Sequence, residues 1–391
     1  MLKIQNGFVV TDTIQKKNVY IENGKIFAVT TDDIPCDEII DAEGLYVSPG
    51  FIDTHVHGGG GHDFMDGGTE CVKGALKAHL MHGSTMVVPT TLSESCDAIM
   101  QAISDVKTAI SEDEDLPHVP GVHLEGPYFS PAQAGAQDPR YITPPVPEDY
   151  KKIMEYANGF IVKYAFAPEL PGTVEFCDYR VEHGALPAAG HTDCTYDDLK
   201  IAHEHGTKIV THLYSGMSTI TRKEGFRILG AVEGTYLLDD MYAEVIADGL
   251  HLPPDLLRLI YKIKGADRIC LITDSMRGAD MPEGESILGS LKNGTPCIIE
   301  GGIAKMPDRK AFAGSVATTD RLVRVCVKQA GIPLTDAVKM ASATPAAVHG
   351  FQNKGAICKG YDADILLFDE DIMIRKILVS KNGVTKVYDK E

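Results

Sequence analysis

Short apolar runs recur along this chain at residues 50–55, 85–89, 119–124, 160–166, 186–190, 208–211, 243–247 and 269–273. Each is too short and too continuously apolar for a surface helix. Such runs read as strands buried on both faces, the state of parallel strands covered by helices. Between them lie stretches such as 69–81, 97–110, 195–205 and 254–263, where apolar residues return every three or four positions. Strand alternating with helix eight times predicts an α/β fold, a (β/α)8 barrel of the TIM type.

The ends of the chain have a different texture. Before residue 50 the pattern gives short strands at 2–4, 8–10, 18–21, 25–29 and 38–41, with Asn6-Gly7 and Asn23-Gly24 as tight-turn dipeptides. Past residue 274 come a Gly- and Pro-rich insertion at 278–301 and helical stretches at 316–329 and 334–341. Strands then return over 360–369 and 374–388, interrupted by Asn382-Gly383. Neither terminal β segment can bury a face alone, so together they predict one small β-sandwich. The expected division is 1–49 and 350–391 for the sandwich and 50–349 for the barrel.

A parallel barrel collects the C-terminal ends of its strands on one face. His55, His57, Glu125, His191, His212 and Asp274 each stand at or just past the end of an apolar run, so the fold predicts that they meet. In Asp53-Thr-His-Val-His57 the imidazoles at i and i+2 share one strand face and suit a single cation. Glu125, in His123-Leu-Glu-Gly-Pro127, is either a ligand at the barrel mouth or half of a surface ion pair. His191 and His212 taken singly read equally well as hydrogen-bonded core histidines. With Glu125 they make two imidazoles and a carboxylate, a set that leaves a coordination position to water and is catalytic in type. Asp274 ends the eighth run, where a carboxylate either accepts a proton from water acidified by a cation or caps the following loop. His251 follows strand seven and suits either a substrate hydrogen bond or a structural one. His79, His82, His203 and His205 fall in or near predicted helices and read as solvated or packed.

Composition narrows the partners. A net charge of −18 with no basic block repels nucleic acid, while a local Arg or Lys can still govern a pocket for a small anion. The 9 cysteines are scattered without a CxxC pair, which argues against a disulfide framework and a cysteine zinc site. No signal-peptide pattern is seen, and no segment reaches the ~18–20 apolar residues of a membrane span. The expectation is a reduced, cytoplasmic protein with no nucleic-acid or membrane partner.

Taken together, the 49–57 segment, His123-Leu-Glu-Gly-Pro127, Gly190-His-Thr192, Thr211-His-Leu-Tyr214, Ala247-Asp-Gly-Leu-His251 and Thr273-Asp274 resemble the amidohydrolase superfamily. Ala313-Gly-Ser315, Ala341-Ser-Ala-Thr-Pro345 and Gly360-Tyr-Asp-Ala-Asp364 extend the resemblance over nearly the whole chain. Within the superfamily it points to the deacetylases of amino-sugar phosphates, which lack a carboxylated lysine and use a glutamate in its place. The resemblance implies that Glu125, His191 and His212 hold the principal divalent ion and that His55 and His57 hold a second where one binds. Zinc comes first, with iron, manganese or cobalt as alternatives. It further implies Asp274 as catalytic acid and base, His251 and Gln137 at the sugar, and a homodimer. The implied reaction is hydrolysis of the acetamide of N-acetylglucosamine 6-phosphate to glucosamine 6-phosphate and acetate, in amino-sugar catabolism.

Two departures bear on the substrate. Ser215-Gly216 stands where the family usually has Asn-Ala at the phosphate, and Thr221-Arg-Lys-Glu-Gly225 leaves either Arg222 or Lys223 to reach a phosphate in the neighbouring subunit. They keep open N-acetylgalactosamine 6-phosphate or an N-acyl amino acid as substrate. A non-catalytic metal-binding scaffold is the reading from a different class, and the intact acid and ligand set argues against it.

Overall fold

The computed structural model describes residues 1–390. Eight parallel strands form its centre: β1 Phe51–Val56, β2 Ser84–Thr91, β3 Val122–Glu125, β4 Ile161–Phe166, β5 Leu186–Ala189, β6 Ile209–Val210, β7 Tyr242–Val245 and β8 Ile269–Leu271. Each pairs with the next in chain order, in parallel. The seam between β8 and β1 is bridged by site residues: Asp274 N donates to His55 O at 2.9 Å and His57 N to Ser275 O at 2.8 Å. The barrel therefore closes through the backbone of the segments that carry the chemistry.

Helices cover the strands as their apolar spacing requires. Helix Thr69–Leu80 buries Val72, Ala75, Leu76, His79 and Leu80, one stripe at three- and four-residue steps. Helix Tyr196–Glu204 starts on a capping box in which Thr195 N donates to the Asp198 carboxylate at 2.8 Å and Thr195 Oγ1 accepts from Asp198 N. That start fixes where the loop carrying His191 ends.

Strands Leu2–Val10, Ile14–Glu22, Lys25–Thr30, Glu38–Asp41 and Tyr46–Pro49 join Ile365–Phe368, Ile374–Lys381 and Val384–Asp389 in one eight-stranded sheet. The two chain ends meet where Tyr46–Pro49 runs antiparallel to Ile365–Phe368. At the far side Ile26 N donates to Tyr361 O at 2.9 Å and Gly360 N to Ile26 O at 2.8 Å, so the sheet curls over its own apolar face. Ile4, Val19, Ile26, Val47, Ile365 and Leu367 fill the space enclosed. Asn23-Gly24 and Asn382-Gly383 are two-residue hairpin turns, with positive φ at both positions.

Asn6-Gly7 corrects the sequence reading. It is a bulge inside one continuous strand, Leu2–Val10, and not a turn. Asn6 takes φ 58°, and its side chain donates to Asp41 at 2.9 Å. Gly7 passes so close to the next strand that a Cβ there would lie 2.4 Å from Val47 Cγ2. The same dipeptide that turns a hairpin thus serves as an extra residue in a ladder. The Gly- and Pro-rich insertion is also more ordered than its composition suggests: Gly284–Leu288, Thr295–Glu300 and Ile303–Lys305 form a three-stranded antiparallel sheet beside the barrel mouth. Among the described residues no helix is long and apolar enough to cross a membrane.

Candidate metal centre

His55 projects from β1 and His57 directly follows it, Glu125 is the last residue of β3, and His191, His212 and Asp274 follow β5, β6 and β8. His191, His212 and Asp274 take positive φ values of 44°, 24° and 48°. Left-handed backbone in such residues costs on the order of 1–3 kcal/mol each and persists where surrounding structure enforces it. Here it follows directly on the strand ends and turns the chain as it delivers each side chain to the site. Gly190, one residue before His191, is required by a close approach: a Cβ there would lie 1.9 Å from Thr211 Oγ1. Gly190→Ala is expected to destabilise the fold by about 1–3 kcal/mol through overpacking. Urea unfolding measures this, and an unchanged midpoint would show that Thr211 yields without cost.

Glu125 is the hub. Its Oε1 lies 2.9 Å from His212 Nε2, 3.3 Å from His191 Nε2 and 3.3 Å from His55 Nε2, while Oε2 lies 3.2 Å from His57 Nε2. Asp274 Oδ1 lies 3.1 Å from His57 Nε2 and 3.5 Å from His55 Nε2. The opposite ring nitrogens fix the tautomers. His191 Nδ1 donates to Gln133 O at 2.8 Å, His212 Nδ1 to Ser215 O at 3.1 Å, and His55 Nδ1 to Glu244 Oε2 at 3.2 Å. With Nδ1 engaged in this way, each ring in its neutral form aims a bare Nε2 lone pair at the Glu125 and Asp274 carboxylates. Lone pairs converging on lone pairs in a buried site repel unless a cation stands among them. His55 Nε2 is buried without a hydrogen-bond partner, as expected of an atom built for a metal. Ligand atoms of His55, His57 and Asp274, and of His55, Glu125 and His212, fall within 4.8 Å of one another.

The same charges attract protons when no ion competes. Burial lowers both first-strand imidazoles, but the Glu125 and Asp274 carboxylates outweigh it and raise His55 to about 9 and His57 to about 10. Burial would raise Asp274, yet the neighbouring imidazoles, His55 foremost, bring it to about 2. A metal held by His55 and His57 would have to displace their protons, so its affinity is expected to rise with pH up to about 10 and to fall on acidification. Calorimetric titration of Zn²⁺ in buffers of different ionisation enthalpy reads the protons released, and no release would contradict this ordering.

Around the hub lies a layer that the sequence pattern did not single out. Glu244 on β7 is fully buried and accepts from Lys163 Nζ of β4 and, at 3.1 Å, from Thr54 Oγ1. Burial would raise its carboxyl, but Lys163 and His55 hold it at about 2. Asp53 accepts from Thr273 Oγ1 at 2.5 Å, tying β1 to the residue before Asp274. Charged residues inside short apolar strands were the available signal for Lys163 and Glu244.

A cavity of about 210 Å³ opens over the hub. Gln137, Ser215, Gly216 and His251 line it together with the six converging residues other than His55, which lies beneath. Gln137 Nε2 donates to Glu125 Oε2 at 2.7 Å, and its Oε1 accepts from Ser93 N. Gly216, at φ 55°, sits against His191, where a Cβ would come 3.0 Å from Nδ1. His251 is held by Asp248, with Nδ1 donating to Oδ2 at 2.8 Å, and the Phe312 ring packs on it at 4.9 Å. Arg222 and Lys223 are not part of the cavity; they stand on an exposed hairpin, Thr221–Lys223 with Phe226–Ile228.

A parallel barrel with imidazoles and carboxylates massed at its C-terminal mouth defines a metal-dependent hydrolase architecture. The chain belongs to the amidohydrolase family, whose sequence profile matches residues 46–388. It is 32% identical over 366 residues to the N-acetylglucosamine-6-phosphate deacetylase of Lysinibacillus sphaericus, covering 93% of this chain and 92% of that protein. It is 29% identical over 334 residues to the N-acetylgalactosamine-6-phosphate deacetylase of a Shewanella species, covering 85% and 81%. Among solved structures it superposes with a TM-score of 0.88 on an aspartate-to-alanine variant of the Mycobacterium smegmatis N-acetyl-D-glucosamine-6-phosphate deacetylase in complex with N-acetyl-D-glucosamine 6-phosphate, at 27% identity and 98% coverage of both chains.

Proposed function

We propose that this protein is a cytoplasmic, metal-dependent deacetylase that hydrolyses N-acetylglucosamine 6-phosphate to glucosamine 6-phosphate and acetate, acting as a homodimer. The observation that carries this reading is the convergence of bare imidazole nitrogens on Glu125 beneath a cavity edged by Asp274. Glu125, His191 and His212 would hold the principal ion, zinc before iron, manganese or cobalt, and His55 and His57 a second. When bound, the ion supplies Lewis acidity to the acetamide carbonyl and acidifies water.

The chain's own residues do the rest. Asp274 is deprotonated at neutral pH, so it begins as the base that takes a proton from the attacking water. It then returns that proton to the nitrogen, without which the amine cannot leave. His251 offers its free Nε2 to the substrate because Asp248 occupies Nδ1. Gln137 keeps Glu125 oriented. Ser215 and Gly216 border the phosphate end, and Arg222 or Lys223 reaches the phosphate in the neighbouring subunit, in keeping with their position on an outlying hairpin.

The galactosamine isomer is the second reading, favoured by Ser215-Gly216, which places no side-chain amide at that rim. Acetate release from both 6-phosphates, from unphosphorylated N-acetylglucosamine and from an N-acyl amino acid decides between them. The expected result is the highest kcat/KM on N-acetylglucosamine 6-phosphate, and a clear preference for another member of the panel would replace it.

A further inference from the structure

Lys163, Glu244 and Thr54 come from three different strands, β4, β7 and β1, and all are fully buried in the barrel interior below the cavity. A charge pair in this position is not explained by stability. Desolvating two ions costs several kcal/mol each, and apolar side chains of similar volume commonly fill such a space as well or better. The pair's hydrogen bonds point to another purpose. Lys163 and Thr54 both donate to Glu244 Oε1, which leaves Oε2 to face His55 Nδ1 at 3.2 Å. A carboxylate fixed in this way accepts only from an Nδ1–H, so it dictates which His55 nitrogen carries the proton. The other nitrogen, Nε2, is the buried atom without a partner that faces Glu125 and Asp274.

We propose that the Lys163–Glu244 pair is a positioning device for the metal centre, which locks His55 in the Nδ1–H tautomer and turns Nε2 toward the ion. The inference rests on the reading of His55 as a ligand. It also accounts for the placement of the pair. The backbone of Glu244 accepts from Leu213 N at 2.8 Å, one residue past His212, so a single residue of β7 braces both histidine segments.

The test is Zn²⁺ affinity and stoichiometry, measured by competition with a chromophoric chelator on the whole protein freed of metal. Lys163→Met with Glu244→Met replaces the pair by an apolar one and leaves no unpaired buried charge. It is expected to stay folded and to lose about 10- to 100-fold in affinity for the ion bound by His55. Lys163→Met with Glu244→Gln retains an acceptor for Nδ1–H and is expected to recover much of that loss. Wild-type affinity in the folded Met/Met variant would overturn the proposal. His55→Asn separates the two layers of the argument. If it leaves Zn²⁺ binding unchanged, the first-strand ligand reading fails and this inference with it; if it weakens binding while Met/Met does not, only this inference fails. Should Met/Met not fold, ¹⁵N-histidine NMR of the wild-type protein with Zn²⁺ reads the tautomer directly, the His55 signals being assigned through His55→Asn. An Nδ1–H ring with an unprotonated Nε2 supports the proposal, and an Nε2–H ring overturns it.

Discussion

Asp274→Asn is expected to lower kcat by about 10²- to 10⁴-fold, the span of a lost general acid and base. The amide has the size and much of the hydrogen-bonding capacity of the carboxylate, so the cavity keeps its shape. It cannot take a proton from water or pass one to the departing nitrogen. Because the proposed ligands of the principal ion, Glu125, His191 and His212, do not include it, occupancy by that ion should stay near wild type. KM should change little, since the proposed substrate contacts lie elsewhere in the cavity, at His251 and the Ser215-Gly216 rim. Steady-state kinetics paired with metal analysis makes the check. Turnover within tenfold of wild type at normal metal content would remove Asp274 from the chemistry.

Glu125→Gln is expected to act earlier, on the ion itself. Four imidazole nitrogens lie within 3.3 Å of this one carboxylate. Loss of a residue that only supports a ligand costs about 10- to 100-fold in metal affinity, so loss of the shared anion should exceed 100-fold. The amide also turns an N–H₂ toward at least one bare Nε2, which fills the space of the ion with a competing hydrogen bond. Metal should fall below one equivalent after dialysis, with activity falling in proportion and returning in part at high Zn²⁺. A Glu125→Gln protein that keeps full metal and full activity would place the ion elsewhere.

The barrel was legible because buried parallel strands leave an apolar signature that tolerates little else. Even β6, reduced to Ile209–Val210, stands out between polar loops. The six converging residues were legible for a topological reason: ligand-type side chains kept recurring where strands end, and only one architecture gathers such ends. The supporting layer was harder to read. A lysine or glutamate such as Lys163 or Glu244 is ordinarily a solvated residue, and only three-dimensional pairing shows that each neutralises the other. The exposed hairpin bearing Arg222 and Lys223 has no apolar stripe to announce its two short strands. Asn6-Gly7 misled because local sequence fixes positive φ but not whether the chain then reverses or bulges; the approach of Val47 decides that.

The most direct measurement is hydrolysis of N-acetylglucosamine 6-phosphate in ¹⁸O-labelled water by protein stripped of metal and by the same protein reloaded with Zn²⁺. The expected result is one labelled oxygen in acetate, one equivalent of glucosamine 6-phosphate per acetate, and turnover only after reloading. Full turnover by protein shown to be metal-free, or no acetate from protein shown to hold Zn²⁺, would contradict the account.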